Sequence, residues 1–202
     1  MPRKPGPQLT REDVVQAAAR LLERDGYDRL TMRSVAAELG VQAPALYWHV
    51  KSKDDLGLLL FDHLIDGLNY GDPTGDWRGD LRQMAHALRR RLVETRDITR
   101  LFPEDYSSGP RAIRPLELGL GLMRGAGLPA TEALHAYGVA LSFIVGWARF
   151  EVTRQANRAA AAQPPAGLFP NIAWALAGQP DQEGGFDYGL DLLIAGLERR
   201  LA

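Results

Sequence analysis

Apolar residues return every three to four positions along most of this chain, which is the spacing of helices that bury one face. The first such stripe follows Thr10 and Asp13, a capping-box pattern with Asp in place of the usual Glu, and Gly26 ends it. No stretch shows the period-two alternation that is typical of a half-buried strand. The pattern therefore predicts an all-α protein of about nine to ten helices.

Three short elements follow the first helix, and local signals mark their ends. Thr31 is a good N-cap, Gly40 is expected to end the second helix in a left-handed conformation, and Pro44 suits the first turn of the third. Ser52 with Asp55 repeats the capping-box pattern at the start of the fourth helix. The predicted ranges are 31–39, 44–50 and 53–68.

The rest of the chain is predicted to be a helical body that follows a loop at 69–75. Its first helix begins near Leu81 and ends before Pro103. The next ones span about 113–124, 129–158 and 172–177, and the last carries an apolar stripe to Leu201. We expect three parts: a first domain at 1–52, a connecting helix at 53–68 and a body at 69–202.

A run of three aromatic side chains indicates what the first domain does. Tyr47, Trp48 and His49 are consecutive, so a helix cannot turn all three toward one core. The helix, tight turn and helix over 31–50 predict a helix-turn-helix, whose second helix enters the DNA major groove. Its core would hold Val35, Leu39, Val41, Leu46 and Val50, packed against Leu21 and Leu22. A small helical bundle with partly buried aromatics is the alternative.

The outward positions carry groups that suit DNA. They are Gln42, Ala43, Pro44, Ala45, Tyr47, Trp48 and His49. Gln can read adenine edges, Ala and Pro can touch thymine methyl groups, and Tyr and His can donate to phosphate oxygens. Arg33 and Lys53 flank this helix, where contacts to the DNA backbone set the register. The residues therefore favour binding to double-stranded DNA.

Charge separates the first domain from the body. Residues 1–53 hold nine Lys or Arg and six Asp or Glu, a net of +3, whereas the whole chain has a formal net charge of −1. The remaining residues therefore carry about −4. A basic first quarter on a mildly acidic body suggests two functions on one chain.

Composition argues against several other classes. The 202 residues include no Cys, which leaves no disulfide framework, thiolate metal site or cysteine nucleophile. Residues 1–10 lack the apolar core of a signal peptide, and the apolar run 133–148 is shorter than the ~20 residues of a membrane span. We expect a soluble cytoplasmic protein with no membrane partner.

The sequence offers little for catalysis. It has no Gly-rich phosphate loop and no serine nucleophile elbow. Asp62, His63 and Asp66 lie close in sequence, but a solvated helix face explains them better than a metal site. We expect no enzyme activity, no catalytic residue, no cofactor and no metal.

The run LTMRSVAAELGVQAPALYWHVKSKDDLGLLL resembles the DNA-binding domain of the TetR family of transcriptional regulators. Tyr47-Trp48-His49-Val50 is most similar to the tetracycline-repressor branch. FDYGLDLLIAGLERRL resembles the last helix of that branch, and Trp77 and Arg96-Asp97 also fit. The resemblance implies a homodimer, a palindromic operator and repression that a small molecule relieves.

The resemblance also implies particular DNA contacts. Carried over residue by residue, they fall on Arg33, Gln42, Pro44, Tyr47, Trp48, His49 and Lys53, with a phosphate contact from the Thr31 hydroxyl. Gln42 stands where the family often has a Ser or Thr cap, so the base preference does not carry over. Arg3 and Lys4 form a basic arm that either reaches a minor groove or is a solvated tail.

The body is expected to dimerise. Residues 133–150 are apolar nearly all round, so this helix needs cover on two sides, from its own core and from a partner chain. A monomer with a thick core is the alternative. The final helix has a similar stripe, and its expected interface residues are Leu190, Leu193, Ile194 and Leu197.

The expected ligand site departs from metal–tetracycline binding. The resemblance places that branch's magnesium histidines on Phe102 and Ser142 and its acid on Phe150, with Glu151 one place away. The drug-gripping asparagine falls on Met84 and its aromatic neighbour on Leu88.

With those polar groups missing, the other residues of the body predict an apolar cavity with a polar end at His63 or Asn69. Its expected lining is Met84, Leu88, Leu92, Phe102, Met123, Tyr137, Leu141 and Trp147. We predict a lipophilic or aromatic inducer that binds without a metal; alternatively, these residues simply fill the core.

Two function classes remain open. One is a ligand-responsive regulator, most simply a repressor. The other is a DNA-binding activator or repressor whose body only dimerises or binds a protein partner. A small molecule that weakens operator binding would separate them.

Overall fold

The structure, a computed structural model, describes residues 9–101, 113–156, 168–178 and 182–201. These residues form helices and turns without a strand, so the all-α prediction is confirmed. The α-helices within them are α1 (Arg11–Asp25), α2 (Met32–Glu38), α3 (Ala43–Leu46), α4 (Lys53–Asp66), α5 (Trp77–Glu94), α6 (Ile113–Gly125), α7 (Ala130–Ala156), α8 (Pro170–Ala177) and α9 (Gln182–Leu201).

The chain divides into two compact units. Unit 1 holds the described residues of Met1–Asn69 and Glu94–Glu117. Unit 2 holds those of Tyr70–Val93 and Leu118–Ala202. Helices α1 to α4 thus belong to unit 1, and α7 to α9 belong to unit 2.

The two ends of α1 follow the predicted local signals. The Thr10 hydroxyl accepts from the Asp13 N–H at 3.1 Å, and the Asp13 carboxylate accepts from the Thr10 N–H at 2.8 Å. Gly26 ends the helix at φ 83°, a backbone angle that favours glycine. The buried face of α1, which includes Leu21 and Leu22, packs against α2 and α4.

Helix α2 begins and ends as predicted. Thr31 is its N-cap, and Ser34 supplies the other half of a capping box that the sequence did not indicate. Gly40 takes φ 67°, the expected left-handed conformation. Two hydrogen bonds close the turn, from the Gly40 N–H to the Ala37 carbonyl and from the Val41 N–H to the Ala36 carbonyl, at 3.1 and 3.0 Å.

Helix α3 is shorter than predicted, because it ends at Leu46 rather than at Val50. A tight turn follows, in which the N–H groups of His49 and Val50 both donate to the Leu46 carbonyl, at 2.8 and 2.9 Å. The Arg11 guanidinium donates to the His49 carbonyl at 3.1 Å and ties this turn to α1. That bond joins residues 38 positions apart, so local periodicity could not reveal it.

The second predicted capping box, at the start of α4, forms only in half. The Ser52 hydroxyl accepts from the Asp55 N–H at 3.0 Å, as expected. The Asp55 carboxylate instead accepts from the Lys51 N–H at 2.9 Å, one residue earlier than a capping box requires.

Helix α5 stops at Glu94, well before Pro103. Asp97 has φ 55°, a left-handed conformation that interrupts a helix, and a short 3-10 turn follows at Ile98–Arg100. We call Thr95–Leu101 the clamp segment, because Arg96 donates to the carbonyls of Glu23 and Arg24 at the end of α1, at 3.4 and 3.0 Å.

In unit 2, aromatic side chains of α7 sit over glycines of α9. The Phe143 ring lies against Gly189, and the Trp147 ring lies against Gly185. A Cβ added at Gly185 would come within 2.8 Å of the Trp147 Cη2 atom. We call Gly185 and Gly189 the glycine notch.

A row of ion pairs joins α5 to α9. Arg78 pairs with Glu198, Arg82 with Asp191, and the His86 Nε2 atom lies 2.8 Å from Asp187. As the residue numbers increase along α5, those of their partners decrease along α9, so the two helices are antiparallel. We call these three pairs the ion-pair ladder.

The loop before α5 forms hydrogen bonds with the buried side chain of Asp80. The Thr74 N–H and hydroxyl donate to this carboxylate at 2.9 and 2.8 Å, and the Gly75 N–H donates at 3.3 Å. These hydrogen bonds, the Thr74 N–H first, hold the pKa of Asp80 below its ordinary value.

Candidate nucleic-acid interface and ligand-binding unit

The helix-turn-helix has a tightly packed core. Val35, Leu46 and Val50 are fully buried, whereas Leu39 and Val41 are partly covered. A core of this kind fixes the outward residues of α3 and its following turn on a rigid support, which recognition of a groove requires.

Most of the predicted DNA-contacting residues face solvent. Tyr47 is 55% exposed and Trp48 is 88% exposed, values far above those of core aromatics. Gln42 and Pro44 are also exposed, and His49 is half-buried. Exposed aromatics on a packed scaffold form a contact surface that the protomer itself does not cover.

The polar residues on either side of α3 differ in the contacts that they already make within the chain. Arg33 is exposed. The Thr31 hydroxyl donates to the Ser34 Oγ atom at 3.1 Å and accepts from the Ser34 N–H at 3.0 Å. A phosphate contact at Thr31 would therefore replace a bond of the α2 cap. Lys53 is half-buried, with its Nζ atom 4.2 Å from the centre of the Tyr27 ring.

Two residues of the predicted ligand set belong to unit 1, and a third lies outside the described residues. His63 and Asn69 belong to unit 1, where both are exposed. The His63 Nδ1 atom lies 3.5 Å from the Glu12 carboxylate. Phe102 lies outside the described residues, as do Arg3 and Lys4.

The other predicted ligand residues belong to unit 2 and are largely internal. Met84, Leu88, Leu92, Met123 and Tyr137 are buried, and Leu141 and Trp147 are partly buried. The Tyr137 ring and the Met84 methyl group both reach Gly119 of α6. Met123 packs in a core cluster with Leu81, Leu128, Ala133 and Ile194. These side chains therefore belong to the interior of unit 2.

A groove with a volume of about 330 Å³ lies elsewhere, between the first half of α7 and the last half of α9. Its lining is mostly apolar and includes the polar residues Glu132, His135 and Arg200. None of the predicted ligand residues lines it. Two predicted interface residues, Leu193 and Leu197, do.

The four predicted interface residues occupy two environments. Leu190 and Ile194 are buried inside their own protomer, whereas Leu193 and Leu197 are partly exposed. The uncovered apolar surface of α9 therefore includes Leu193 and Leu197 but neither Leu190 nor Ile194. Leu192, which the sequence pattern did not single out, is 58% exposed.

The carboxylate of Glu151 is engaged within unit 2. The Arg89 guanidinium donates to both of its oxygens, at 2.9 and 3.1 Å, and also lies 4.9 Å from the centre of the Phe186 ring. Ser142 and Phe150, on which the resemblance placed metal ligands, are exposed. Among the residues that the structure describes, no three His, Asp or Glu side chains converge as metal ligands do.

Helix α7 is long and apolar enough to cross a membrane by length and composition alone. A core helix of a soluble protein fits the same description, and α7 buries Tyr137, Ile144 and Ala148 within unit 2. We therefore assign it to the core of unit 2.

Sequence reasoning missed the residues whose partners are distant in the chain. The Arg89–Glu151 pair, the glycine notch and the contacts of Tyr27 all join elements far apart in sequence. The only available signals were two glycines spaced four apart in α9 and acidic residues at helical spacing beside them.

A packed helix-turn-helix with an exposed aromatic surface, followed by a larger helical unit, defines a DNA-binding transcriptional regulator. Residues 14–58 match the model of the tetR family of bacterial regulatory proteins, and residues 71–201 match that of the tetracyclin repressor-like C-terminal domain. The chain belongs to the TetR family and is a ligand-responsive DNA-binding regulator.

Full-length relatives and a solved structure agree with this assignment. The class C tetracycline repressor of Escherichia coli is 32% identical, covering 95% of this chain and 92% of the relative. An HTH-type transcriptional regulator of Saccharopolyspora erythraea is 31% identical, covering 95% of this chain and 85% of that relative. The structure of Streptomyces coelicolor ActR in complex with actinorhodin is similar with a TM-score of 0.82 and 29% identity, covering 96% of this chain and 99% of that one. These relatives are transcriptional regulators, which are not enzymes.

Proposed function

We propose that the chain acts in the cytoplasm as a homodimeric repressor. It binds a palindromic operator and leaves it when a small, largely apolar molecule binds unit 2; it catalyses no reaction. The observation that carries the DNA part of this proposal is the exposure of Tyr47 and Trp48 on a core in which Leu46 and Val50 are fully buried.

In this proposal the residues divide into two roles. Gln42, Pro44, Tyr47 and Trp48 face the bases and the groove walls. Arg33, Lys53, the Thr31 hydroxyl and the His49 ring contact phosphates and set the register. The net +3 of residues 1–53 supports this orientation toward DNA.

Dimerisation is proposed through α7 and α9. Leu192 of α9 and Val139 of α7 are 58% and 55% exposed, and both line the groove between these helices. A homodimer would cover this apolar surface with the same surface of a second copy. It would also place two reading surfaces about one DNA turn, ~34 Å, apart.

The inducer is proposed to be lipophilic or aromatic and to bind without a metal. The side chains of Met84, Leu88 and Tyr137 offer apolar and aromatic contacts. Glu151 already pairs with Arg89, so its carboxylate is not free for a cation. The ActR structure contains actinorhodin, whereas other relatives are named tetracycline repressors. The side chains of Ser142 and Phe150 are poor metal ligands, which favours binding without a metal ion.

The alternative is that unit 2 only dimerises or binds a protein partner. The deep burial of Leu88, Leu92 and Met123 supports that alternative, since it is typical of residues that simply fill a core.

Titration with operator DNA tests the proposal. A duplex is selected from random-sequence DNA by the protein, and its affinity is measured by fluorescence anisotropy as salt is raised. Lys53→Ala should weaken binding on all sequences alike and flatten the salt slope by about 0.9 for each phosphate that Lys53 neutralises. Gln42→Ala should instead change the preferred bases. Wild-type behaviour of both variants would contradict the assignment of the DNA surface.

The same complex tests the ligand. Apolar aromatic compounds are screened for release of the DNA, with and without a chelator, and against Trp147→Ala. Release that needs magnesium would contradict the proposed metal-free binding.

A further inference from the structure

The ring of Tyr27 lies close to two cations. The Lys53 Nζ atom is 4.2 Å from the ring centre, and the Arg100 guanidinium carbon is 4.5 Å from it. Both distances are within the range of a cation–π interaction. Tyr27 therefore connects the first residue of α4 with the clamp segment, all within unit 1.

The position of Tyr27 is fixed from its backbone. Its N–H donates to the Asp97 carboxylate at 2.9 Å. The preceding residue, Gly26, has no Cβ, and one placed there would come within 2.9 Å of the same carboxylate. Arg96 holds the last carbonyls of α1 from the same segment. The ring is thus presented by a rigid surround, which an anchor for a flexible side chain requires.

The two cations have different partners. Arg100 forms a bidentate pair with Asp28, at 3.0 and 2.8 Å, so its charge is locally balanced. Lys53 makes no ion pair with an acidic side chain in the described part of the chain. Its ammonium group is oriented by the ring; it attracts the Asp28 carboxylate only from beyond ion-pair distance, because that carboxylate is bound directly by Arg100.

A lysine side chain has four rotatable bonds, whose freedom is lost when its ammonium group binds a fixed phosphate. A side chain that is already restricted in the free protein loses less on binding. We propose that Tyr27 is a positioning residue for DNA binding, whose ring holds the Lys53 ammonium group in place for a phosphate of the operator. This inference rests on the proposed DNA-binding function.

The test compares Tyr27→Leu, which removes the ring, with Tyr27→Phe, which keeps it. Each is made alone and together with Lys53→Ala, and binding to the selected duplex is measured at several salt concentrations. Tyr27→Leu should weaken binding about two- to fivefold, the effect expected of one exposed cation–π contact, and Tyr27→Phe should bind like wild type. In the Lys53→Ala background, Tyr27→Leu should have no further effect.

Lys51→Ala is the matched control, because Lys51 is exposed and precedes α4 by two residues. Tyr27→Leu should still weaken binding in the Lys51→Ala background. An equal loss in all three backgrounds, which a purely structural role predicts, would overturn the inference, as would tighter binding by Tyr27→Leu.

A measurement on the free protein covers the case in which Tyr27→Leu fails to fold. The ring current of Tyr27 should shift the ε-methylene protons of Lys53 upfield in the NMR spectra of the wild type and of Tyr27→Phe. An unshifted signal would overturn the inference. So would normal affinity and salt slope in Lys53→Ala, a result that leaves the reading residues and the proposed function intact. Failure of the wild type to bind any duplex would instead overturn both.

Discussion

Replacing Glu151 with Gln should test how much of unit 2 depends on one ion pair. The Arg89 side chain is 14% exposed and that of Glu151 is 8% exposed, and the two are joined by two hydrogen bonds. Gln keeps the size of Glu but removes the charge. Arg89 would then be a nearly buried cation without a counter-ion.

The magnitude follows from burial. Breaking a buried ion pair by removing one partner costs about 3–5 kcal/mol, and the slight exposure of Arg89 puts the expected loss near ~3 kcal/mol. The matched control is Glu198→Gln, which breaks an arginine–carboxylate pair of the same unit. There the side chains of Arg78 and Glu198 are 45% and 42% exposed. Exposed pairs contribute about 0–1 kcal/mol.

Both variants should be compared by urea unfolding followed by circular dichroism, and by thermal melting. For a chain of this size, ~3 kcal/mol corresponds to a fall in Tm of roughly 6–12 °C, against at most ~4 °C for the control. The double variant Arg89→Met, Glu151→Met should recover most of the loss, because it removes both charges. Equal losses in Glu151→Gln and Glu198→Gln would refute the reasoning that burial sets the strength of the pair.

Two further variants probe the proposed interface and the loop before α5. Leu192→Glu should give a folded monomer with weak operator binding in analytical ultracentrifugation and anisotropy, because the exposed Leu192 would lose ~2 kcal/mol or more of apolar burial per copy. Leu58→Glu, at an exposed leucine of α4, should remain dimeric, and a dimeric Leu192→Glu would move the interface elsewhere. Asp80 has a folded pKa below its ordinary value, so its contribution to stability is present above about pH 4 and is lost as the pH falls through the folded pKa. Asp80→Asn should therefore have a lower urea midpoint than wild type at pH 7, and the difference should shrink as the pH falls below about 4. A difference that stays constant as the pH falls would contradict this role.

Local signals in the sequence predicted the elements well. The Thr10–Asp13 capping box, the Thr31 N-cap and the left-handed Gly40 were all confirmed, because each depends on residues within four positions. The length of α3 was wrong, since the turn that ends it is held by a bond from Arg11, 38 positions away.

The candidate site could be predicted only in part. The exposure of Tyr47 and Trp48 follows from their being consecutive beside two apolar positions. Nothing local indicates that Tyr27 meets Arg100 or that Asp97 meets the Tyr27 N–H, contacts between residues about 70 positions apart. The internal burial of Leu190 and Ile194 could not be predicted either. The apolar stripe of α9 is broad, and periodicity does not say which part of it packs against its own chain.

The ion-pair ladder also bears on how α9 finds its alignment. Two of its acids, Asp187 and Asp191, are spaced by about one helical turn. A slide of α9 by four residues would therefore set His86 opposite Asp191 in one direction, or Arg82 opposite Asp187 in the other. An attractive pair survives either way, so charge alone discriminates only weakly between alignments.

The glycine notch discriminates more strongly. The slide that sets His86 opposite Asp191 would bring Leu193 to the place where Gly189 now meets the Phe143 ring. A Cβ there would come within 2.4 Å of that ring, so Phe143 would have to move. Steric shape, more than electrostatic attraction, thus disfavours that alignment of α9. Substitutions that change the charges of this helix pair can therefore alter its solubility without changing how the helices align. Substitution of either glycine by a larger residue is less easily tolerated.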